Sequence, residues 1–486
     1  MSIDQRPIKF GTDGWRGVIA DNFTFERLAL VAPVAARVLA ETYGSSTSNQ
    51  TIVVGYDRRF LSEEFAETVA EVVQAAGFDV LLSTSYAPTP AFSWVAHHRG
   101  ALGALVITAS HNPGKYSGLK IKGAFGGSVP PAVTQQVEAK LAAAETVSAA
   151  APGKLERFDP WPEYCEVLRD RANLEVIRSA IQSGKLSVIV DTMHGATAGG
   201  LAKVLGEDVA IEELRSDRDP LFGGSAPEPL AKYLTPLLQS IRDRRTAGET
   251  GLIVGFAFDG DGDRIAAADG QGNFLSSQIL IPILLEHLAV RRKISGEAIK
   301  TISGSDLIPK IVDLYNLSLH ETPIGYKYIA DRMLEGHPVV LGGEESGGIG
   351  YGTHIPERDG LLSALYVMEA VAQSGLDLSD LYRRLQEQVS YFAEYDRIDL
   401  PLDSMETRSR LLEQLQNQPL TTIAGQTVTD CNTIDGYKFR LAEGSWLLIR
   451  FSGTEPVLRL YSEAATLERV HEILAWAKDW ANSINI

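Results

Sequence analysis

A serine able to carry an anionic group stands in the run Thr108-Ala109-Ser110-His111-Asn112-Pro113. The run follows Leu102 to Ile107, an apolar stretch with the composition of a buried strand, so Ser110 is expected on the turn that ends it. Asn112-Pro113 stops regular structure, because proline donates no hydrogen bond and restricts its predecessor. His111, Lys115, Lys120 and Lys122 add a proton carrier and positive charge close in sequence to one hydroxyl. A hydroxyl so placed can receive or donate an anionic group. A plain polar turn has the same composition, and the other loops have to decide.

Asp259-Gly-Asp261-Gly-Asp263-Arg264 follows the apolar strand Leu252 to Phe258. The intervening glycines let three carboxylates turn toward one centre, and three oxygen ligands suit a hard divalent cation such as Mg²⁺. A calcium EF-hand is excluded, since its sixth position is Arg264 and its twelfth is Gly270 where glycine and glutamate are required. Arg264 places a cation beside whatever the metal holds, or neutralises the crowded aspartates.

Two further loops fit a phosphorylated sugar. Glu344 and Ser346, on a glycine-flanked turn, can accept and donate hydrogen bonds to sugar hydroxyls, and Gly325-Tyr326-Lys327-Tyr328 offers a ring and an ammonium. An acidic hairpin and an ordinary helix start are the plain alternatives. Arg450-Phe-Ser452-Gly453-Thr454-Glu-Pro456 combines a guanidinium, two hydroxyls and accessible backbone, a way to hold phosphate without a P-loop helix. His97-His98, near a helix end, are expected to be exposed.

The elements that must position these loops alternate between strand and helix, which indicates parallel-sheet α/β architecture. Strands are expected at Thr51 to Val54, Val80 to Ser83, Leu186 to Val190, Lys300 to Ser303 and Pro338 to Leu341. Helices are expected at Phe25 to Leu39 despite Pro33, at Glu63 to Ala76 with Ser62 as cap, and at Ser277 to Val290. Asp359 to Gln373 and Leu378 to Gln388 form two more. Pro130-Pro131 and the stretch Ala142 to Pro152 mark the end of the first unit, and Ala266 to Phe274 reads as a hairpin at the border of the second. From Tyr391 the strands shorten and helices at Met405 to Leu415 and Leu467 to Trp480 make an α+β tail. The expected domains are 1–155, 156–275, 276–390 and 391–486. Ligands of open α/β sheets sit at the carboxyl ends of strands, so loops of this kind point to one cleft shared by four domains.

At 486 residues the chain exceeds one hydrophobic core, and its 44% hydrophobic and 22% charged residues are those of a soluble globular protein. No stretch approaches a membrane span, no signal-peptide core opens the chain, and Cys165 and Cys431 make no disulfide framework, which together suit a reducing cytoplasm. A net charge of −17 argues against a nucleic-acid partner. It does not argue against a small phosphate, which a few local cations can hold. Such a protein must then concentrate its cations in the site.

With these motifs in this order, the chain resembles the α-D-phosphohexomutase superfamily of phosphoglucomutases, phosphomannomutases and phosphoglucosamine mutases. The match runs over essentially the whole chain, and Thr-Ala-Ser-His-Asn-Pro with Asp-Gly-Asp-Gly-Asp-Arg is its most specific part. The resemblance implies three α/β domains with mixed, mainly parallel sheets plus a C-terminal α+β domain around a central cleft. It implies that Ser110 is phosphorylated in the active enzyme and that Asp259, Asp261 and Asp263 bind one Mg²⁺ together with an oxygen of that phosphoserine. Lys120 and His111 would serve as acid/base and charge-stabilising groups, with Arg16 beside the phosphoryl. Glu344 and Ser346 would meet sugar hydroxyls, Arg264, Tyr326, Lys327 and Arg358 would add to substrate binding, and Arg450, Ser452, Gly453 and Thr454 would grip the non-reacting phosphate.

The implied reaction interconverts glucose 1-phosphate and glucose 6-phosphate through glucose 1,6-bisphosphate, in a monomer or homodimer. Glu344-Glu-Ser346, Gly325-Tyr-Lys327 and Arg358-Asp-Gly360 look more like phosphoglucomutases than glucosamine mutases. The chain is shorter than animal-type phosphoglucomutases and has Gly-Lys-Tyr-Ser-Gly-Leu-Lys after Pro113, which leaves mannose phosphates as further substrates. A glucose-1,6-bisphosphate synthase would share these loops. A metal-dependent phosphatase and a non-catalytic sugar-phosphate sensor are rivals of another class.

Overall fold

The computed structural model describes residues 6–147, 149–452 and 456–483. Its contacts divide the chain into two compact units, Met1–Gly296 with Gly325–Leu381, and Glu297–Ile324 with Tyr382–Ile486.

The first unit opens with a six-stranded sheet of β1 (Trp15–Val18), β2 (Thr51–Tyr56), β3 (Asp79–Ser83), β4 (Gly103–Ile107), β5 (Tyr116–Gly123) and β6 (Leu155–Phe158). The spatial order is β1-β5-β4-β2-β3-β6. The β2, β3, β4 and β6 pairings are parallel, whereas β5 returns antiparallel to both β4 and β1. Every residue of β4 is buried, as its unbroken apolar run requires of a central strand. The adjacent ends of β2 and β4 therefore deliver Asp57 and Thr108 side by side.

The helix Phe25–Tyr43 covers one face of this sheet and runs one turn beyond the expected Leu39. Ser62 is not a cap: it lies inside the helix Ser62–Ala75, and its hydroxyl bonds Asp57 Oδ1 at 2.7 Å instead. Pro130-Pro131 does not end the unit either. Pro131 starts the helix Pro131–Ala142, where a missing N–H costs nothing, and Val133 and Val137 join the same core.

A second sheet, ordered β11-β10-β9-β7-β8, comprises β7 (Leu186–Asp191), β8 (Glu212–Leu214), β9 (Leu252–Phe258), β10 (Ile265–Ala268) and β11 (Phe274–Leu275). Parallel β7–β8 and β7–β9 pairs meet the antiparallel run β9–β10–β11, the expected hairpin. The antiparallel pair Val339–Gly343 and Ile349–Tyr351 and the apolar helix Gly360–Ser374 complete the unit.

In the second unit, parallel strands Glu297–Thr301 and Ser318–Thr322 accompany a six-stranded antiparallel sheet built from residues between Glu394 and Ala464. The first of these strands replaces the expected Lys300 to Ser303. Ile302 and Ile324 pack with Trp446, Leu448, Tyr461 and Tyr395, and buried Lys438 reaches Asp306 Oδ1 at 2.8 Å. These contacts group Glu297–Ile324 with the C-terminal segment in this unit. Among the described residues no helix is long and apolar enough to cross a membrane, and both cysteines are free.

Candidate active site

Ser110 sits at the carboxyl end of β4 in the left-handed region, at φ 51°, a strained conformation for a residue with a side chain. Its N–H is held by Thr108 Oγ1 at 2.9 Å. Its Oγ donates to Asp259 Oδ2 at 2.8 Å and lies 3.3 Å from Nδ1 of the half-buried His111. The serine is 1% exposed.

The aspartate loop follows β9, beyond the strand end as the topology of open sheets favours. Ligand oxygens of Asp259, Asp261 and Asp263 lie within 4.8 Å of one another, and all three residues are buried. Asp259 Oδ1 accepts the backbone N–H groups of Asp263 and Arg264, both at 3.1 Å, which curls the loop around its first carboxylate. Thr89 Oγ1 donates to Asp261 Oδ2 at 2.6 Å. Asp261 Oδ1 and Asp263 Oδ1 are buried without a hydrogen-bond partner. Orphaned carboxylate oxygens pointing into a carboxylate cluster are what a hard cation requires, so the residues fit a divalent metal. Burial first, then Asp263 and Asp261, hold Asp259 well above the usual carboxylate range.

The serine and aspartate loops meet backbone to backbone. A Cβ on Gly260 would lie 2.5 Å from the Ser110 carbonyl oxygen, so only glycine permits this approach.

Lys120, on β5, is 1% exposed and reaches Asp261 Oδ2 and Asp263 Oδ2, each at 2.8 Å, and Asp13 Oδ2 at 2.7 Å. Burial pulls this ammonium down, but Asp13, Asp261 and Asp263 outweigh it and hold Lys120 above the ordinary lysine range. Arg358 Nη2 donates to Asp263 Oδ2 at 2.6 Å and to Asp13 Oδ2 at 2.7 Å, while its Nη1 is 3.7 Å from Glu344 Oε2. Lys122 closes the network through Glu357, Ser128 and Asp13. Arg16 Nη1 donates to Asn112 Oδ1 at 2.5 Å. The acidic chain does concentrate cations here: besides burial, Arg264, Arg16 and Lys120 push His111 down, which keeps its imidazole neutral.

Glu344 is buried, and its N–H donates to Gly348 across the tight turn that carries half-buried Ser346. Burial pushes the Glu344 carboxyl up to about 7 against the pull of Arg358. Tyr326 opens the helix Tyr326–Leu334 and is buried with its ring 5.5 Å from the Arg358 guanidinium. Lys327 lies over Tyr328 at 4.8 Å, outside the ionic network, and Lys115 is an exposed lysine over Tyr116. His97 and His98 are exposed.

In the second unit Arg450 Nε donates to Asp435 Oδ2 at 2.9 Å, and the backbone of buried Ser452 donates to Val457. Gly453 and Thr454 lie outside the described residues.

Sequence reasoning missed Asp13, Thr89 and Glu357. Only Asp13 left a trace, the polar centre of the glycine-rich Gly11-Thr-Asp-Gly-Trp-Arg-Gly17.

Models of the phosphoglucomutase/phosphomannomutase family match four successive parts of the chain. They are the alpha/beta/alpha domain I at residues 7–148, domain II at 162–272, domain III at 276–389 and the C-terminal domain at 406–477. The chain is 30% identical over 471 residues to the phosphoglucosamine mutase of Thermotoga neapolitana, covering 96% of each. It is 29% identical over 469 residues to the phosphoglucomutase/phosphomannomutase of Thermococcus kodakarensis, again covering 96% of each. The crystal structure of a protein provisionally named phosphomannomutase from Thermus thermophilus superposes with a TM-score of 0.84 at 32% identity, covering 98% of this chain and 99% of that one.

Proposed function

Because the chain belongs to the phosphoglucomutase/phosphomannomutase family of phosphohexomutases, we propose that it interconverts glucose 1-phosphate and glucose 6-phosphate with Ser110 as phosphoryl carrier. The observation that carries this is the buried Ser110 hydroxyl 2.8 Å from Asp259, the first of three converging carboxylates. Asp259, Asp261 and Asp263 would hold one Mg²⁺, which when bound supplies positive charge to the transferring phosphoryl group.

The chain's own residues supply the rest. Phosphorylated Ser110 gives its phosphoryl group to the free hydroxyl of the hexose monophosphate, producing a 1,6-bisphosphate. The P–O bond to Ser110 Oγ breaks as the bond to the sugar oxygen forms. Lys120 gives a proton toward the departing serine oxygen and recovers one from the attacking hydroxyl, while Asp13 fixes its position. His111, neutral, can donate to or accept from the serine oxygen. Arg16, Arg264 and Arg358 offset charge on the phosphoryl oxygens. The bisphosphate then turns over and returns its other phosphoryl group to Ser110. Glu344 and Ser346 would bind sugar hydroxyls, with Tyr326 supporting Arg358 and Lys327 adding charge. By the family resemblance, Arg450 and Ser452, with Gly453 and Thr454, would grip the phosphate not being transferred.

Glucose is supported by Glu344-Glu345-Ser346 and Arg358-Asp359-Gly360, which look more like phosphoglucomutases than glucosamine mutases. Glucosamine phosphate is the second reading, favoured by the name of the Thermotoga relative. The test is a panel of glucose, mannose and glucosamine 1-phosphates with Mg²⁺ and a trace of glucose 1,6-bisphosphate, with intact mass read before and after phosphatase treatment. A higher kcat/KM for glucosamine 1-phosphate would move the assignment to that sugar. Net bisphosphate accumulation from fructose 1,6-bisphosphate and glucose 6-phosphate, without isomerisation, would make the protein a bisphosphate synthase.

A further inference from the structure

The sequence places Asp57-Arg58-Arg59 at the end of β2, one strand over from the serine loop, and gives these residues no task. The structure buries Arg59 completely and turns both of its Nη groups to that loop. Its Nη2 donates to the carbonyls of Ser110 at 2.5 Å and Asn112 at 2.7 Å, and its Nη1 to those of Pro113 at 3.1 Å and Tyr116 at 3.0 Å. Its Nε donates to Asp57 Oδ2 at 3.1 Å. A guanidinium has five N–H groups in a rigid plane, and here each has a partner.

The fork is itself held from three sides. Asp57 also accepts Arg59 N–H at 2.9 Å and the Ser62 hydroxyl at 2.7 Å, which fixes the carboxylate. The Phe222 ring lies 4.8 Å from the guanidinium carbon, and Arg218 Nη2 donates to the Arg59 carbonyl at 3.2 Å. Asp219-Pro-Leu-Phe222, a motif without an evident role in the sequence, thus backs the arginine. Pro220 also touches the serine loop, since a Cβ on Gly114 would meet its carbonyl at 2.5 Å.

We propose that Arg59 is the positioning residue of the phosphoryl-carrier loop: its guanidinium holds both limbs of the turn so that Ser110 keeps its left-handed backbone and its hydroxyl faces the aspartate triad. The inference rests on the reading of Ser110 as carrier. A residue with a side chain persists at φ 51° only where its surroundings overdetermine it. Thr108 fixes the N–H of Ser110 and Arg59 its carbonyl, so the two peptide planes flanking the serine are both anchored. Lysine, with three donors on a flexible stem, cannot bond four carbonyls in one plane.

A misplacement of about 1 Å at a reacting atom costs on the order of 100-fold. In Arg59→Lys, kcat should therefore fall about 100-fold. The KM for the hexose phosphate should change less than about threefold, since the proposed sugar and phosphate contacts do not include Arg59. The decisive measurement is single-turnover transfer from purified phosphoenzyme, which should slow in step with kcat. A merely structural arginine would lower the melting temperature without splitting kcat from KM in this way. A lysine variant with the wild-type kcat, or with its loss confined to KM, overturns the proposal. If that variant does not fold, Asp57→Asn decides: a roughly tenfold loss of kcat at constant KM supports the clamp, and a wild-type kcat overturns it. Ser110→Ala, run alongside, separates the two readings. Retained mutase activity there would overturn the carrier reading and the clamp together, whereas an inactive Ser110→Ala beside a fully active Arg59→Lys would overturn the clamp alone.

Discussion

Lys120 and Arg358 share one oxygen: Asp13 Oδ2 lies 2.7 Å from Lys120 Nζ and 2.7 Å from Arg358 Nη2. Both cations also reach Asp263 Oδ2, at 2.8 Å and 2.6 Å. Two cations and two carboxylates thus form a closed square beside the serine. The proton carrier proposed for the reaction and a cation proposed for substrate binding are fixed by the same acid.

Asp13→Asn should open that square. Asp13 is the foremost of the carboxylates that raise Lys120 against burial, so its loss lowers the lysine's pKa. The alkaline limb of the kcat–pH profile should move to lower pH, and kcat should fall about 10- to 100-fold. A full pH profile of kcat checks both, and an unmoved alkaline limb would count against the coupling.

Ser110→Ala should lose at least about 10³-fold in kcat, since a phosphoryl carrier has no substitute in the loop. Intact mass spectrometry of the two proteins gives an independent readout. The phosphoform should be present in the wild type and absent from the variant.

Removing divalent metal with a chelator should abolish turnover, and Mg²⁺ should restore it. Because the triad crowds buried carboxylates, the cation should also stabilise the fold, by about 2.7 kcal/mol at a hundredfold excess over its Kd. Differential scanning calorimetry with increasing Mg²⁺ reads this. The rise in melting temperature should vanish in Asp263→Asn.

Glu344 carries a stability signature of its own. Burial raises its folded-state carboxyl from 4.5 to about 7, so between these values the folded protein binds a proton that the unfolded chain does not. Its contribution is full below about pH 4.5 and is lost as pH rises through 7. Relative to Glu344→Gln, the wild type should therefore lose roughly 2–3 kcal/mol between pH 5 and 8. Urea unfolding of both proteins at pH 5, 6, 7 and 8 would test this, and parallel pH dependences would contradict it.

The parts of the site legible from sequence are those whose chemistry is concentrated in one short run. Ser110 with His111, and the three alternating aspartates, announce themselves because each run ends an apolar strand and holds the reactive groups together. Asp13, Thr89, Arg59 and Glu357 each contribute a single side chain from a distant segment. Thr89, for instance, meets Asp261 across 172 positions of chain. Nothing local marks such residues, since a lone threonine at a helix start or an arginine after a strand has many ordinary uses.

The fold was legible to a similar depth. Strand β4 and the helix Gly360–Ser374 follow directly from their apolar runs, while Ser62 and Pro131 were misread because their local chemistry has two solutions. A serine before acidic helical residues can cap, but here a buried aspartate takes its hydroxyl. A proline pair can break structure, but at the first helical turn it begins one. Glu297–Ile324 joins the C-terminal segment through Ile302, Lys438 and Trp446, contacts that no composition shift in the sequence announces.

Gly260 bears on how this catalyst can change. The distance between the serine turn and the aspartate turn is set by touching main chains, so drift among the surrounding side chains cannot retune it gradually. A single methyl at Gly260 would act as a wedge, parting donor and triad in one step. Side chains such as Glu344 and Ser346, proposed to meet the sugar, can change by small steps, but the spacing between these two turns has no intermediate settings.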